Sequence, residues 1–337
     1  MKKSILYIGN NLRNKTSNIS SIQLLGGFLE SEGFRVYYAS SKRYKLVRLC
    51  DMVFNFLRYQ HQVDYVVIDT YSTHNFYYAL IISQLCRLFG KRYIPSLNGG
   101  NLPARLDKHP FMSALIFKHA HVCVSPSDYL KQSFATYGYH HVKYVPNTLE
   151  IKHYKFDTKD FKTIKLLWVR SFSKIYNPLL AVAVLKNLID KGYAAELCMV
   201  GPDADGSLKT VKTYAAQLDV AVRFTGKLSK RKWIAIAKDY KVFINTTNFD
   251  NTPVSVIEAM ALGLPIVSTN VGGMPYLIKH EIDGLLVAPN NVETMVAAIL
   301  KLYDSPDFAH TLALNARLKV EQFDWEIVKA MWFDILK

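Results

Sequence analysis

Short apolar runs alternate with stretches of helical period along this chain, and the whole alternation occurs twice. Residues 5–9, 35–39, 65–69, 92–96 and 121–125 read as buried strands, with helical patterns at 22–31, 76–89 and 127–137 between them. The cycle resumes with strands at 166–170, 197–201, 221–226, 242–246 and 266–269. Strand, helix and strand in succession close as a right-handed crossover, which builds a parallel sheet covered on both faces. Two such runs, separated by the polar, lysine-rich stretch 151–165, predict an α/β protein of two Rossmann-like domains. Ligands are then expected at the carboxyl ends of the strands. The length agrees, since 337 residues exceed the roughly 250–300 at which a single core stops growing.

Composition removes several classes. Half the residues are apolar, enough to fill two cores. The opening MKKSILYIGNN has only five residues before polar ones return, too few for a signal-peptide apolar region. No uninterrupted apolar stretch approaches the roughly 18 residues of a membrane span. Cys50, Cys86, Cys123 and Cys198 are scattered without CxxC, and the histidines form no HExxH, so neither a disulfide framework nor a metal site is expected. That usage fits a reducing cytoplasm. Forty-two Lys and Arg against 27 Asp and Glu leave +15, divided as +10 in residues 1–150 and +5 in the rest. The basicity would suit nucleic acid, but no aromatic-basic motif of a nucleic-acid-binding module is present.

Nucleotide motifs give mainly negative results. GxGxxG follows none of the strands, which argues against a dinucleotide oxidoreductase. Gly9 to Thr16 has the length and the Lys15-Thr16 ending of a phosphate loop, and 65–69 resembles its partner strand, but Asn14 stands where that loop needs glycine. An ordinary polar loop is the better reading.

The segment 249–276, FDNTPVSVIEAMALGLPIVSTNVGGMPY, carries more information. Thr252 followed by Pro253 reads as a hydroxyl N-cap and a proline at the first helical position, and Gly263 and Pro265 end the helix. Asp250 thus precedes a helix N-terminus, which favours anions, and Gly272-Gly273 permits close backbone approach to a ligand. Glu258 has Val254, Ile257, Ala259, Ala261 and Leu262 around it. A carboxylate there is costly unless it meets hydrogen-bond donors, and ribose hydroxyls are such donors.

Asp250 and Glu258 stand eight apart, and with EAMALGLPIVST and the glycine pair they resemble the signature of the family-4 retaining glycosyltransferases, which normally carry Glu, seven residues, then Glu. Val124-Ser-Pro-Ser127, Val145-Pro146-Asn147, Met199-Val-Gly-Pro202, Phe224-Thr-Gly226 and Asp283-Gly-Leu-Leu-Val287 resemble further family segments in the expected order. The resemblance covers about 120–290 well and 1–119 by order of elements. It implies the GT-B fold, two Rossmann-like domains whose parallel sheets face across a cleft. The first domain, 1–150, would lie on the acceptor side and the second, 166–318, would bind the nucleotide sugar, with 151–165 as linker and 319–337 crossing back to the first domain. It also implies transfer of a sugar from a nucleotide diphosphate sugar with retention at the anomeric carbon, no metal and no cofactor beyond the substrate.

Carried over residue by residue, the resemblance implies that Glu258 accepts from donor ribose hydroxyls and that Asp250, one methylene shorter than the usual Glu, lies near the transferred sugar. Backbone amides of Asn251, Thr252, Pro253 and Val254 lie in the stretch that meets sugar hydroxyls and phosphate, though Pro253 itself has no N–H. Arg170 and Lys174 supply the cations for the diphosphate, at a spacing of four where five is common. Thr225, Gly226 and Lys227 belong to the loop whose backbone reads the nucleobase. On the acceptor side Asn98, with Gly99 and Gly100, resembles a glycine loop in which relatives often have His, and Asn11, Asn14, Thr16 and Ser17 face the expected cleft. The acceptor would be a glycan or a lipid-linked glycan.

Residues 41–62 mix five Lys and Arg with many apolar side chains. They read equally as a basic amphipathic helix on an anionic membrane, at the inner face, and as a helix whose apolar side is core. Two other functions stay open on sequence: a nucleotide-sugar epimerase of the same fold, and an inactive glycan- or membrane-binding scaffold.

Overall fold

The computed structural model describes residues 3–12 and 20–337. The chain divides into two compact units, residues 1–146 with 327–337 and residues 147–326. Asn14, Thr16 and Ser17 lie outside the described residues.

The first unit holds β1 (Ser4–Ile8), β2 (Arg35–Ala39), β3 (Tyr65–Thr70), β4 (Arg92–Leu97), β5 (Cys123–Ser125) and β6 (Val142–Tyr144). They form one parallel sheet in the order β2-β1-β3-β4-β5-β6. Its helices are α1 (Ser21–Ser31), α2 (Lys45–Tyr59), α3 (Asn75–Leu88), α4 (Pro103–Lys108), α5 (Pro110–Phe117) and α6 (Asp128–Thr136). Every residue of β3 is buried, as a strand covered on both faces requires. The core side of α2 is Met52 and Phe56, and α3 contributes Phe76, Ala79, Ile82 and Cys86 to the same cluster. Ser127 caps α6, its hydroxyl accepting from the Leu130 amide at 3.2 Å.

The second unit holds β7 (Ile164–Val169), β8 (Ala195–Val200), β9 (Val222–Gly226), β10 (Val242–Asn245), β11 (Ile266–Thr269) and β12 (Leu285–Val287), with α7 (Pro178–Asp190), α8 (Ser207–Gln217), α9 (Lys230–Ala237), α10 (Val254–Ala261), α11 (Met274–Leu277), α12 (Val292–Asp304) and α13 (Pro306–Glu321). The sheet is again parallel, in the order β12-β11-β10-β7-β8-β9, which is 3-2-1-4-5-6 read from the β9 edge with β7 counted as strand one. Alternate residues of β7 feed two cores. Leu166 and Trp168 join one cluster, and Leu167 joins the other on the opposite face.

The helix α14 (Trp325–Ile335) makes up most of the last eleven residues, which belong to the first unit. There the Phe333 ring lies 5.6 Å from that of Phe34, and Lys143 pairs with Asp334 at 2.7 Å. Ten of the twelve strands coincide with sequence expectation to within a residue or two at each end. The other two, β6 and β12, have three residues each and are too short to show a period. Among the described residues no helix is long and apolar enough to cross a membrane.

Candidate active site

In the second sheet the order of strands reverses between β7 and β10, so the loops leaving these neighbours diverge and open a crevice at the carboxyl edge. Arg170 is the first residue past β7, and Asp250 lies in the loop after β10. Their side chains form an ion pair, with Arg170 Nη2 donating to Asp250 Oδ2. The shorter acid therefore still reaches the cation. Both are largely buried, with side chains 17% and 13% exposed. Asp250 Oδ1 accepts from the Asn251 amide at 2.9 Å. The Tyr176 ring backs the guanidinium, its centroid 4.1 Å from Cζ. Arg170 Nε is buried without a partner, a state that costs about 1–3 kcal/mol.

The loop after β7 is fastened to the loop after β10. Trp168 Nε1 donates to Thr246 Oγ1 at 3.0 Å, and that hydroxyl donates to the Tyr176 carbonyl at 2.8 Å. The Asn248 amide donates to the Ile175 carbonyl at 2.8 Å. Lys174 opens the 3-10 turn Lys174–Tyr176, its amide donating to Asp205 Oδ2 at 3.0 Å. Its ammonium is exposed and pairs with no carboxylate among the described residues. The structure thus joins Arg170 to Asp250 and leaves Lys174 apart from both.

The helix after Asp250 departs from sequence expectation. Val254 is the first residue of α10 and Pro253 is its N-cap, so Thr252 is not the cap. Pro253 has an extended ψ of 123°, and its carbonyl accepts from Val256 and Ile257 at 3.1 and 3.3 Å. The Thr252 carbonyl, one residue farther out, accepts from Asn147 Nδ2 at 2.9 Å. No side chain caps the helix, so its first-turn amides keep their affinity for an anion. Ser255 Oγ, in that first turn, is buried and unpaired.

Gly272 and Gly273 brace the same loop. The Gly273 amide donates to the Asp250 carbonyl at 2.9 Å, and a Cβ on either glycine would collide with the carbonyl oxygen of Asp250 or Asn251. The close approach that the pair permits is to this loop. Thr225, Gly226 and Lys227 stand at the end of β9, where the Gly226 carbonyl accepts from the Gly201 amide at 2.9 Å.

Glu258 is buried, 4% exposed, and has the donors its burial demands. Tyr154 Oη donates to Oε1 at 2.6 Å, and Lys230 Nζ lies 2.7 Å from the same oxygen. Both contacts fall on the one oxygen, Oε1. Neither partner is conspicuous in the sequence: Tyr154 sits in the linker stretch and Lys230 is one of several basic residues between 227 and 232. Tyr176 and Ser255 were equally hidden, because only the fold brings them to the crevice.

Residues 151–319, half of the chain, match the sequence model of the family described as glycosyl transferases group 1. The chain belongs to the group 1 glycosyltransferases. The amylovoran biosynthesis glycosyltransferase AmsK of Erwinia amylovora is 27% identical over 165 residues, 47% of this chain and 40% of the relative. The UDP-Gal:alpha-D-GlcNAc-diphosphoundecaprenol alpha-1,3-galactosyltransferase of Escherichia coli is 25% identical over 166 residues, 48% of this chain and again 40% of the relative. The chain therefore spans well under half the length of these two relatives. Among solved structures, sucrose-phosphate synthase from Thermosynechococcus elongatus superimposes with a TM-score of 0.85 at 16% identity, covering 99% of this chain and 98% of that one. Anabaena HepE in complex with UDP-glucose gives 0.80 at 14%, covering 99% of both. The fold of the chain is GT-B, with two Rossmann-like domains.

The first domain has its own reversal of strand order, between β1 and β3. Asp69 ends up buried there, near the carboxyl end of β3. Its Oδ1 accepts from Asn98 Nδ2 at 2.8 Å and from Tyr7 Oη at 3.1 Å, and its other oxygen rests against Gly9. Burial pushes the carboxyl up to about 7, with the two hydrogen bonds opposing. Asp69 is thus engaged by side chains of its own domain. The Asn98 amide group is committed to it, and the Gly99 amide donates to the Thr70 carbonyl at 3.2 Å, with Gly100 next in the turn. Asn11 Oδ1 accepts from Gln23 at 3.1 Å.

Proposed function

We propose that this protein moves a sugar from a nucleotide diphosphate sugar to a glycan or lipid-linked acceptor, with retention at the anomeric carbon and without a metal. The observation that carries the reading is the juxtaposition of Arg170, Asp250 and the uncapped N-terminus of α10 at the reversal of the second sheet. Charge develops on the leaving diphosphate, and a buried guanidinium with an unpaired Nε beside a helix N-terminus that no side chain caps is a preorganised stabiliser of that charge. Lys174, exposed and unpaired, adds a second cation of the kind a metal would otherwise supply. Glu258 Oε2 takes the ribose hydroxyls, and the backbone of 225–227 meets the base.

In the step itself the bond from the anomeric carbon to the diphosphate oxygen breaks and a bond to the acceptor oxygen forms on the same face of the sugar. The acceptor proton passes to the leaving phosphate oxygen, so no separate base is needed. Retention rests on the resemblance of the 250–258 segment. The UDP-glucose bound by HepE and the UDP-galactose named for the Escherichia coli relative make uridine diphosphate sugars the first donors to test. The polysaccharide and diphosphoundecaprenol relatives point to surface-glycan assembly at the inner membrane face, with residues 41–62 meeting the anionic leaflet.

Titration with UDP, GDP and ADP identifies the base, and turnover with the matched sugar conjugate tests the site. Arg170→Ala should lower kcat by about 10²–10³-fold, and Glu258→Ala should weaken nucleotide binding about tenfold or more. Undiminished turnover in both would remove the assignment.

A further inference from the structure

The loops that leave β7 and β8 are zipped together beyond the ends of their strands. The Phe172 amide donates to the Pro202 carbonyl at 2.8 Å, and the Phe172 carbonyl accepts from the Ala204 amide at 3.0 Å. Phe172 fixes the line of this pairing, because its buried ring packs on Trp168 at 5.1 Å and on Phe224 at 6.0 Å. A short parallel bridge between Phe172 and Asp203 thus carries the sheet past its own edge.

Asp205 stands just beyond the bridge, and its carboxylate is saturated. Oδ2 accepts from the Ser173 hydroxyl at 2.8 Å and from the Lys174 amide at 3.0 Å. Oδ1 accepts from the Ser207 amide at 3.2 Å and from the Ser207 hydroxyl. Two carboxylate oxygens offer about four lone-pair sites, and each has its donor. Those donors, the Ser207 hydroxyl foremost, hold the carboxyl down at about 2, so it is charged at any working pH.

The other side of the same residue is tied to a different loop. The Lys174 carbonyl accepts from Asn248 Nδ2, in the loop after β10, at 3.4 Å. The Lys174 backbone is therefore anchored to the β8 loop and to the β10 loop at once, while its ammonium is exposed and pairs with no carboxylate among the described residues. A lysine has many rotamers, and a fixed backbone narrows the region its ammonium can reach. Arg170 and Lys174 stand four apart where five is common in the family, so the reach of Lys174 depends on how this shorter loop is tied.

We infer that Asp205 is a positioning residue: by tying the Ser173–Lys174 turn to the β8 loop, it sets where the Lys174 ammonium stands and hence how tightly the donor diphosphate is held. The inference rests on the proposed role of Lys174 toward the diphosphate. A carboxylate would itself repel that anion, so the contribution of Asp205 runs through the lysine.

Nucleotide titration tests this, using whichever of UDP, GDP and ADP the wild-type protein binds most tightly and the corresponding monophosphate. Lys174→Ala should weaken the diphosphate about tenfold or more and the monophosphate far less. Asp205→Ala should show the same selective loss, severalfold in size, and Ser173→Ala, which removes one of the two bonds to the turn, a smaller one. Ser207→Ala takes a donor from the same carboxylate on its α8 side and should leave the ratio of the two affinities unchanged. Asp205→Asn keeps the shape and one acceptor oxygen and should recover part of the loss, so the comparison survives if Asp205→Ala fails to fold. Added to Lys174→Ala, Asp205→Ala should cost nothing further. A loss equal for diphosphate and monophosphate, or one that persists in the Lys174→Ala protein, marks a merely structural role and overturns the positioning. An unchanged ratio in Asp205→Ala beside a weakened Lys174→Ala overturns the positioning alone and leaves Lys174 a diphosphate cation. Undiminished diphosphate binding in Lys174→Ala removes both roles, and a wild-type protein that binds none of the three nucleotides removes the transferase reading beneath them.

Discussion

At the scale of single residues, buried charge marks both strand-order reversals. In the second domain Arg170 and Asp250 neutralise each other in a largely buried setting, so an incoming diphosphate competes with a carboxylate for the guanidinium. In the first domain Asp69 has no cation among its hydrogen-bond partners, only Tyr7 and Asn98, and its carboxyl rises to about 7 from an ordinary 3.8. A raised carboxyl pKa means that the folded chain holds the proton more tightly than the unfolded one. The resulting stability is present in acid and is lost as pH climbs from about 4 through 7. Asp69→Asn keeps an acceptor oxygen for Tyr7 and Asn98 without the charge. Its unfolding free energy should match that of the wild type near pH 4 and exceed it above about pH 7, by roughly 2–4 kcal/mol at most. Parallel pH profiles for the two proteins would show that Asp69 is not the group responsible.

At the scale of elements, strand–helix alternation is legible because five or six apolar residues in a row have few other destinations, and short strands such as β6 and β12 are not. The site was legible where chemistry is tied to chain geometry. Arg170 ends an apolar strand, Asp250 precedes a helix, and Glu258 sits among apolar neighbours. Tyr154, Lys230, Tyr176 and Ser255 were not, because their relevance comes from tertiary contacts across 104 residues in the case of Tyr154 and Glu258. The start of α10 shows how far local rules reach: threonine and proline announce a helix, yet a proline ψ of 123° shifts the cap by one residue. Where a polar cap does form, its worth can be measured. Asn291 Oδ1 accepts from the Thr294 amide at 2.9 Å at the head of α12. Asn291→Ala should cost about 1 kcal/mol in denaturant melts and leave nucleotide binding unchanged.

At the scale of the whole molecule, the two units differ in what they face. The first holds most of the excess positive charge, and the second holds the crevice with its paired ions. A nucleotide bound in the second unit should therefore stabilise that unit alone. Thermal unfolding should resolve two transitions, only one of which moves with nucleotide, by about 2.7 kcal/mol at a hundredfold excess over Kd. A uniform shift of both would contradict a site confined to residues 147–326. The first unit is also discontinuous in sequence, because its last eleven residues follow the entire second unit. During synthesis 180 residues intervene between Pro146 and Ile327, roughly 10–40 s of translation. Throughout that interval Phe34 waits without Phe333 and Lys143 without Asp334. On the ribosome, then, the second unit can mature first, and the first is finished last, by residues 327–337.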